Sequence, residues 1–315
     1  MITERIDNIT KIPPRYRVEA PPVPKSVKIE LTGRCNYQCG YCPLVKRKGK
    51  AIDMDFSLFK RITREMIELG VSEVGVFYMG ESFTNKKLLI DAITYLKKEL
   101  ETEYVFLTSN ASLADKETVD RCMDAGLDSL KWSCNISDRY QFKKIVGVKE
   151  SLFDDALNNI RDAWIVREEC GHKTKLYASS IMYDDDQPER MNHILRRIIP
   201  YVDQHYWLPL YSMGSLARTG EADLGLTPIA GNPGRYGNPV SPIPCWVLFT
   251  ASHVMADGRV SGCASDVNGD WVMGDLRTQS FMEIWHSEKY KELRSAHLSG
   301  DITGTKCEHC AICGT

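Results

Sequence analysis

The segment Cys35-Asn36-Tyr37-Gln38-Cys39-Gly40-Tyr41-Cys42 sets three thiols within eight residues at the spacing C-x3-C-x2-C, directly after the strand-like run Val27-Lys28-Ile29-Glu30-Leu31. A disulfide between any two would leave the third unpaired and close a short, strained loop. Soft thiolates gathered on one loop suit zinc or an iron-sulfur cluster. A four-coordinate zinc ion would need a fourth ligand nearby, and no other Cys or His occurs within fifteen residues on either side. Three thiolates with one metal position left open is the simpler reading. An open iron on a 4Fe-4S cluster can take a small molecule by its amine and carboxylate, so the loop reads as a reaction site rather than a staple.

The rest of the chain is consistent with a large enzyme core. Its 315 residues can bury one barrel-sized domain and a small appendage. A net charge of -2 gives no broad electrostatic case for nucleic acid. No run of eighteen apolar residues and no signal-peptide pattern is present, so a cytoplasmic protein without a membrane partner is expected. Eleven cysteines in such a chain point to metal ligation in a reducing compartment.

Residues 1–25 carry Pro13, Pro14, Pro21, Pro22 and Pro24, which predict an extended segment draped over a surface, either loosely held or covering a barrel opening. From 26 to 211, β-rich runs near 27–32, 73–79, 104–108, 128–134, 174–182 and 204–211 alternate with helical patterns near 56–69, 86–100, 115–125, 153–169 and 187–199. Acidic residues open several helices, and Gly70, Gly126 and Gly171 follow their ends. Such alternation implies parallel strands with right-handed crossovers, as an incomplete barrel or an open doubly wound sheet. Either way, chemistry belongs at the carboxyl ends of the strands, where the thiol loop sits. Residues 212–244 turn rich in Gly and Pro and read as a linker or a substrate-covering loop.

The C-x3-C-x2-C loop with Tyr41 before its last cysteine, set after the first strand of an α/β chain, resembles the radical S-adenosylmethionine (radical SAM) superfamily. That resemblance implies a partial (β/α)6 TIM-like barrel over 26–211 and a 4Fe-4S cluster held by Cys35, Cys39 and Cys42 that binds S-adenosylmethionine. Tyr78-Met79-Gly80-Glu81-Ser82 is similar to the family's Gly-Gly-Glu-Pro segment, with Met79 and Ser82 departing at the outer positions; Gly80 and Glu81 would receive the SAM amino group. Asn110, in Thr108-Ser109-Asn110, and Ser133 fall where the family contacts SAM. If Ser133 points inward, strand alternation turns Cys134 outward. Cys122 and Cys170 fit buried apolar positions on or after helices. Lys46, Arg47, Lys48 and Lys50 form a basic run that is solvated or faces an anionic substrate group.

Cys245-x12-Gly258-x4-Cys263 followed by Cys307-x2-Cys310 offers four more thiolates. Asp257-Gly258 is a hairpin signal that can bring Cys245 near Cys263, and a helical run from Phe281 to His297 returns the chain to the last pair. With Gly274-Asp275, Ile284-Trp285 and Leu293-Arg294, this resembles the shortened "twitch" form of the SPASM domain over 245–315, as in the family's aminocyclitol dehydrogenase of the butirosin pathway. The resemblance implies one auxiliary 4Fe-4S cluster; a structural zinc is the alternative on ligand type. Cys313 could replace Cys310, remain free or reach the active site.

The family chemistry implied is reductive cleavage of SAM to a 5'-deoxyadenosyl radical that takes hydrogen from a substrate C–H, with a flavodoxin- or ferredoxin-type electron donor. A second cluster favours net oxidation of a sugar, aminocyclitol or other small polar substrate. Modification of a precursor peptide is the alternative, with a separate recognition partner because the segment before the barrel is too short to recognise a leader. His205, Arg218 and Asp266 are candidates by position for the substrate base, and Cys313 for a hydrogen donor. A metal-stabilised binding scaffold is the non-enzyme alternative, and it predicts no SAM cleavage.

Overall fold

Runs rich in β-branched and aromatic residues extend, and the amphipathic runs between them coil. The computed structural model describes residues 1–311, with the side chains of Arg218 and Thr219 outside that description. After a first helix, α1 (Ile2–Thr10), the chain alternates through β1 (Ser26–Ile29), α2 (Phe56–Glu68), β2 (Glu73–Gly75), α3 (Lys86–Thr94), β3 (Tyr104–Ser109), α4 (Lys116–Asp124) and β4 (Ser129–Ser133). Two helices follow, α5 (Arg139–Ile145) and α6 (Ser151–Cys170), then β5 (Lys175–Met182), α7 (Gln187–Ile198) and β6 (Gln204–Pro209). Asp55, Asn85, Asp115 and Asp138 each accept a first-turn backbone N–H, at about 1 kcal/mol per cap. Gly171 ends α6 in the left-handed conformation that only glycine adopts freely.

The six strands pair in chain order, all parallel, as the alternation predicts. Val27, Ile29, Val74, Val105, Leu107, Leu130, Trp132, Leu176 and Ala178 are buried between this curved sheet and its helices. The α/β fold with a largely parallel sheet is therefore as expected.

Three features differ from the expectation. Residues 2–10 form a helix rather than extended backbone, because every proline of the segment lies after it. Helix α1 sits across the amino ends of the strands: Arg5 pairs with Glu73 at 2.7 Å and lies 3.3 Å over the Tyr104 ring, and Gln204 donates to Thr3 at 3.0 Å. Glu73, Tyr104 and Gln204 are the first residues of their strands, so α1 closes the barrel from below.

Residues 212–244 are also more ordered than a linker, with α8 (Arg218–Leu224) and the short pair β7 (Gly234–Arg235) and β8 (Asn238–Pro239). Finally, the carboxyl-terminal part does not stand apart. After α9 (Val247–Thr250), β9 (Ala251–Val254) pairs parallel to β1, with Ser26 opposite Ala251 and Ile29 opposite Val254. The expected hairpin at Asp257-Gly258 then leads to β10 (Arg259–Ser261), and β11 (Val272–Asp275) completes one nine-stranded sheet in the order β11-β10-β9-β1-β2-β3-β4-β5-β6.

The helical run expected from Phe281 to His297 divides into α10 (Phe281–Trp285) and α11 (Glu288–Ser299), because Ser280 and Ser287 each cap a new start. Helix α12 (Glu308–Ala311) closes the described chain. Arg294 fixes this end to the first segment. It lies 4.1 Å from the Trp285 ring and 4.3 Å from that of Tyr290, and donates to the carbonyls of Leu248, Trp285 and Glu19. No helix among the described residues is long and apolar enough to cross a membrane.

Candidate active site

The thiol loop leaves β1 at the carboxyl edge of the sheet and is held from three sides. Gly40 N–H donates to Ile145 O at the end of α5, and the Tyr37 ring meets Phe142 of α5 edge-on at 5.4 Å. Asn36 donates to Ser112, and Asn110 donates to Asn36 at 2.9 Å, which ties the loop to the end of β3. From above, α8 approaches so closely that a Cβ on Gly220 would lie 2.1 Å from Gly40 O. Gly220→Ala must therefore lift α8 off the loop, at a cost of about 1–3 kcal/mol. The expected readout is faster proteolysis within 212–244 and weaker iron retention.

Burial pushes the Cys35 thiol up to about 12 and those of Cys39 and Cys42 in the same direction, with neighbouring thiols adding to the rise at Cys35 and Cys39. Such thiols ionise readily only against a cationic metal.

Gly80 and Glu81 lie behind this loop. A Cβ on Gly80 would meet Thr32 O at 1.9 Å and Arg34 O at 2.8 Å, so only glycine lets the β2 end pass the loop entrance. Glu81 is 3% exposed. One carboxylate oxygen accepts from Ser109 Oγ at 3.0 Å and Phe83 N at 3.1 Å, the other from Asn110 N at 2.8 Å. Burial raises its pKa and these bonds oppose the rise. Glu81 thus joins the ends of β2 and β3, and Asn110 is bonded to Asn36 and Ser112. Tyr41 and Ser133 reach the open space in front. Tyr41 accepts from Asn135 at 2.9 Å and packs on Tyr183.

That space is a cavity of about 380 Å³ bordered by Cys39 and Cys42 at one end and by Cys245, Cys263, Cys307 and Cys310 at the other. Tyr78 spans the two, donating to Cys263 O at 2.7 Å and to Asp266 O at 3.0 Å. Burial drives the Cys245 thiol up to about 12, Cys307 up to about 11 and Cys263 well above the usual range. Trp271 borders the cavity beside these thiols, and its indole N–H is directed at the Cys307 sulfur, where it opposes the rise in that thiol's pKa. A cluster's sulfur there would accept from the same N–H.

Among the described residues, no three of the seven thiols gather within 4.8 Å; the one set of ligand-type groups that close is Asp120, Cys170 and His172 on the surface. Thiolates around one tetrahedral zinc, at Zn–S of about 2.3 Å, would stand about 3.8 Å apart. The wider spacing of both sets is compatible with a multi-iron cluster.

Several expected site residues fall elsewhere. His205 shares its face of β6 with Trp207, whose ring it meets at 5.4 Å, while Tyr206 and Leu208 are the ones facing inward. It bonds Ser180 Oγ at 2.9 Å, and burial lowers its pKa to about 4, so it is a packed outer-face histidine. Tyr211, which follows the end of β6 at Pro209, borders the cavity. Asp266 is fully buried and accepts from Ser261 Oγ and the backbone N–H groups of Asn268, Gly269, Asp270 and Trp271 at 2.8–3.2 Å; it shapes the loop after Cys263.

Cys313 and the Arg218 side chain lie outside the described residues. Cys122 and Cys134 pack in the core as expected, but Cys170, the last residue of α6, is exposed. Of the basic run, Arg47 turns inward to pair with buried Glu30 at 2.7 Å, and Lys46, Lys48 and Lys50 are exposed.

Two family models match this chain: the radical SAM superfamily over residues 29–163 and the SPASM iron-sulfur cluster-binding domain over 245–314. The chain belongs to the radical SAM superfamily, with a carboxyl-terminal SPASM domain. It is 28% identical over 178 residues to a PqqA peptide cyclase of Bradyrhizobium diazoefficiens, covering 56% of this chain and 40% of that protein. The chain therefore spans less than half the length of that relative.

In fold it resembles a crystal structure of BtrN in complex with AdoMet and 2-DOIA, at TM-score 0.59 and 16% identity, covering 92% of this chain and 93% of that one. It also resembles SuiB of Streptococcus suis bound to the precursor peptide SuiA, at TM-score 0.67 and 15% identity, covering 88% and 68%.

This radical SAM protein is an enzyme whose cofactors are a 4Fe-4S cluster with SAM and auxiliary iron-sulfur in the SPASM domain. The cavity also holds residues that the motif comparison passes over. Lys131 borders it from the middle of β4. The signal was available, since 131 has the parity of 133 and the alternation that turns Ser133 inward turns Lys131 inward too.

Proposed function

We propose that this enzyme removes a hydrogen atom from an unactivated carbon of a substrate held in the 380 Å³ cavity and completes a net two-electron oxidation. Cys35, Cys39 and Cys42 hold the SAM-binding cluster, and Cys245, Cys263, Cys307 and Cys310 hold one auxiliary cluster. The observation that carries the reading is that thiols of both sets border one continuous space. When bound, the first cluster and SAM supply the 5'-deoxyadenosyl radical. The chain's own residues supply the enclosure: Tyr41, Tyr78, Ile181, Leu208 and Tyr211 exclude water, while Ser133, Asn135 and Ser179 offer hydrogen bonds that orient polar groups. With the hydrogen atom removed, the substrate would still have to lose one proton and one electron, and an iron-sulfur cluster held by Cys245, Cys263, Cys307 and Cys310 would take that electron.

A peptide side chain suits the mainly apolar lining, and the names of the PqqA peptide cyclase and of SuiB with its precursor peptide support a peptide substrate. Dehydrogenation of a small polar molecule is the second reading, supported by the near end-to-end match in fold with BtrN, whose structure holds AdoMet and 2-DOIA together. Anaerobically reconstituted enzyme with reductant and SAM is expected to release 5'-deoxyadenosine, and each turnover on a candidate peptide should remove the mass of two hydrogens. Absence of 5'-deoxyadenosine would overturn the enzyme reading. A product of unchanged mass would overturn the oxidation.

A further inference from the structure

Two lysines inside the barrel have no part in the function above. Lys131 borders both the 380 Å³ cavity and a second chamber of about 240 Å³ beneath it, and Lys28 of β1 borders the lower one. Leu208, Tyr211, Asn232 and Ala264 also border both, so the two chambers adjoin inside the barrel, the upper one at the thiol loops and the lower one above α1. Neither ammonium has an ion pair or hydrogen bond among the described residues; Lys28 stands 6.0 Å over Phe77 and 5.7 Å over Trp246.

None of the other charged groups facing them makes a direct ion pair with either lysine. Glu73 of β2 pairs with Arg5 of α1 at 2.7 Å and attracts Lys28 only across the chamber, which partly offsets the fall in the Lys28 pKa. His253, opposite Lys28 on β9, is held neutral by burial, as are Cys134 of β4, Tyr104 of β3 and Tyr206 of β6. Burial lowers both lysines to about 8, with Lys28 adding to the fall at Lys131, so both are mostly charged near neutral pH. Two unmatched ammoniums in an apolar chamber are costly unless a ligand brings negative charge.

We propose that the lower chamber is a subsite for an anionic group of the substrate, a carboxylate or phosphate on an apolar or aromatic stem, seated between Lys28 and Lys131. Phe77, Phe106, Tyr206, Leu208 and Trp246 receive the stem. The assignment rests on the function proposed above, and it turns away substrates that carry an ammonium at this end. The carboxylate of SAM shares the same chemistry, and the experiment separates the two sources.

The test is calorimetric titration of the reconstituted enzyme, without reductant, with inorganic phosphate and with benzoate, each in the absence and presence of saturating SAM. Binding is expected in both conditions, at least tenfold weaker in Lys131→Met and in Lys28→Met, and within about threefold of the parent in Lys131→Arg, which keeps the charge. The anion selects protonated lysines, so affinity should fall about tenfold between pH 7 and pH 9 for each lysine that must be charged, with buffer-dependent heats that report proton uptake. Iron content and circular dichroism check folding. If the methionine variants do not fold, the arginine variant and the pH series of the parent enzyme carry the test.

Failure of both anions to bind, variants that bind like the parent, or displacement of the anion by SAM would each overturn the subsite. The last outcome would give Lys131 to the SAM carboxylate. Release of 5'-deoxyadenosine by the parent enzyme is measured separately, so loss of the subsite and loss of the enzyme reading are told apart.

Discussion

Cys42→Ala is expected to cost the reconstituted enzyme about four of about eight irons per chain, and 5'-deoxyadenosine release should drop to the uncatalysed background. Cys263→Ala should remove a similar amount of iron and leave SAM cleavage in place while abolishing the oxidised product. The asymmetry follows from what each thiol can reach. Cys42 closes the tight turn in which its N–H donates to Cys39 O at 2.9 Å, so its loss breaks a three-thiol site that has no spare ligand nearby. Cys263 stands across the cavity, beside Cys245, Cys307 and Cys310. Losing it leaves the radical-forming end intact and deprives the substrate radical of its electron acceptor.

Iron analysis, low-temperature EPR of the reduced proteins and chromatography of 5'-deoxyadenosine and product make four readouts. A Cys42→Ala protein that still cleaves SAM would end the assignment of the first site. A Cys263→Ala protein that still yields product would end the role given to the second.

How far the sequence foretells this arrangement differs between its parts. Three thiols in eight residues leave few chemical options, and strand-helix alternation with Asp and Asn caps is a local signal, so the thiol loop and the parallel order of β1 to β6 are legible from residues alone. The place of β9 is not. Ala251-Ser252-His253-Val254 is buried throughout, so it shows no alternation, and Asp257-Gly258 announces a hairpin without saying that its first strand will lie beside β1. The outward place of His205 is illegible for a related reason: parity tells which residues share a face, but not which face turns inward. Tyr206 and Leu208 settle that only once the sheet curves. Prolines at 13, 14 and later suggested an extended leader, and they govern only the part of the segment after α1.

Gly80→Ala is expected to destabilise the chain by about 3 kcal/mol or more and to prevent stable loading of the first cluster. The obstruction is backbone on both sides. The new methyl would stand 1.9 Å from Thr32 O and 2.8 Å from Arg34 O, and neither carbonyl can withdraw freely. Thr32 bridges to Asp53, and Arg34 O accepts the Glu81 N–H at 2.7 Å. Moving them shifts both the entrance to the thiol loop and the carboxylate that joins β2 to β3.

Glu81→Gln separates the structural role from a direct contact with SAM. It keeps the shape but sets an NH₂ group against the Asn110 N–H that now donates at 2.8 Å, at a cost of about 1–3 kcal/mol. Urea unfolding of the two variants should therefore show Gly80→Ala as the larger loss, with Glu81→Gln lowering stability even when SAM is absent. If Glu81→Gln leaves unfolding unchanged and weakens only SAM binding, the carboxylate faces the nucleotide rather than the β3 end, and the bracing role given to it here is wrong.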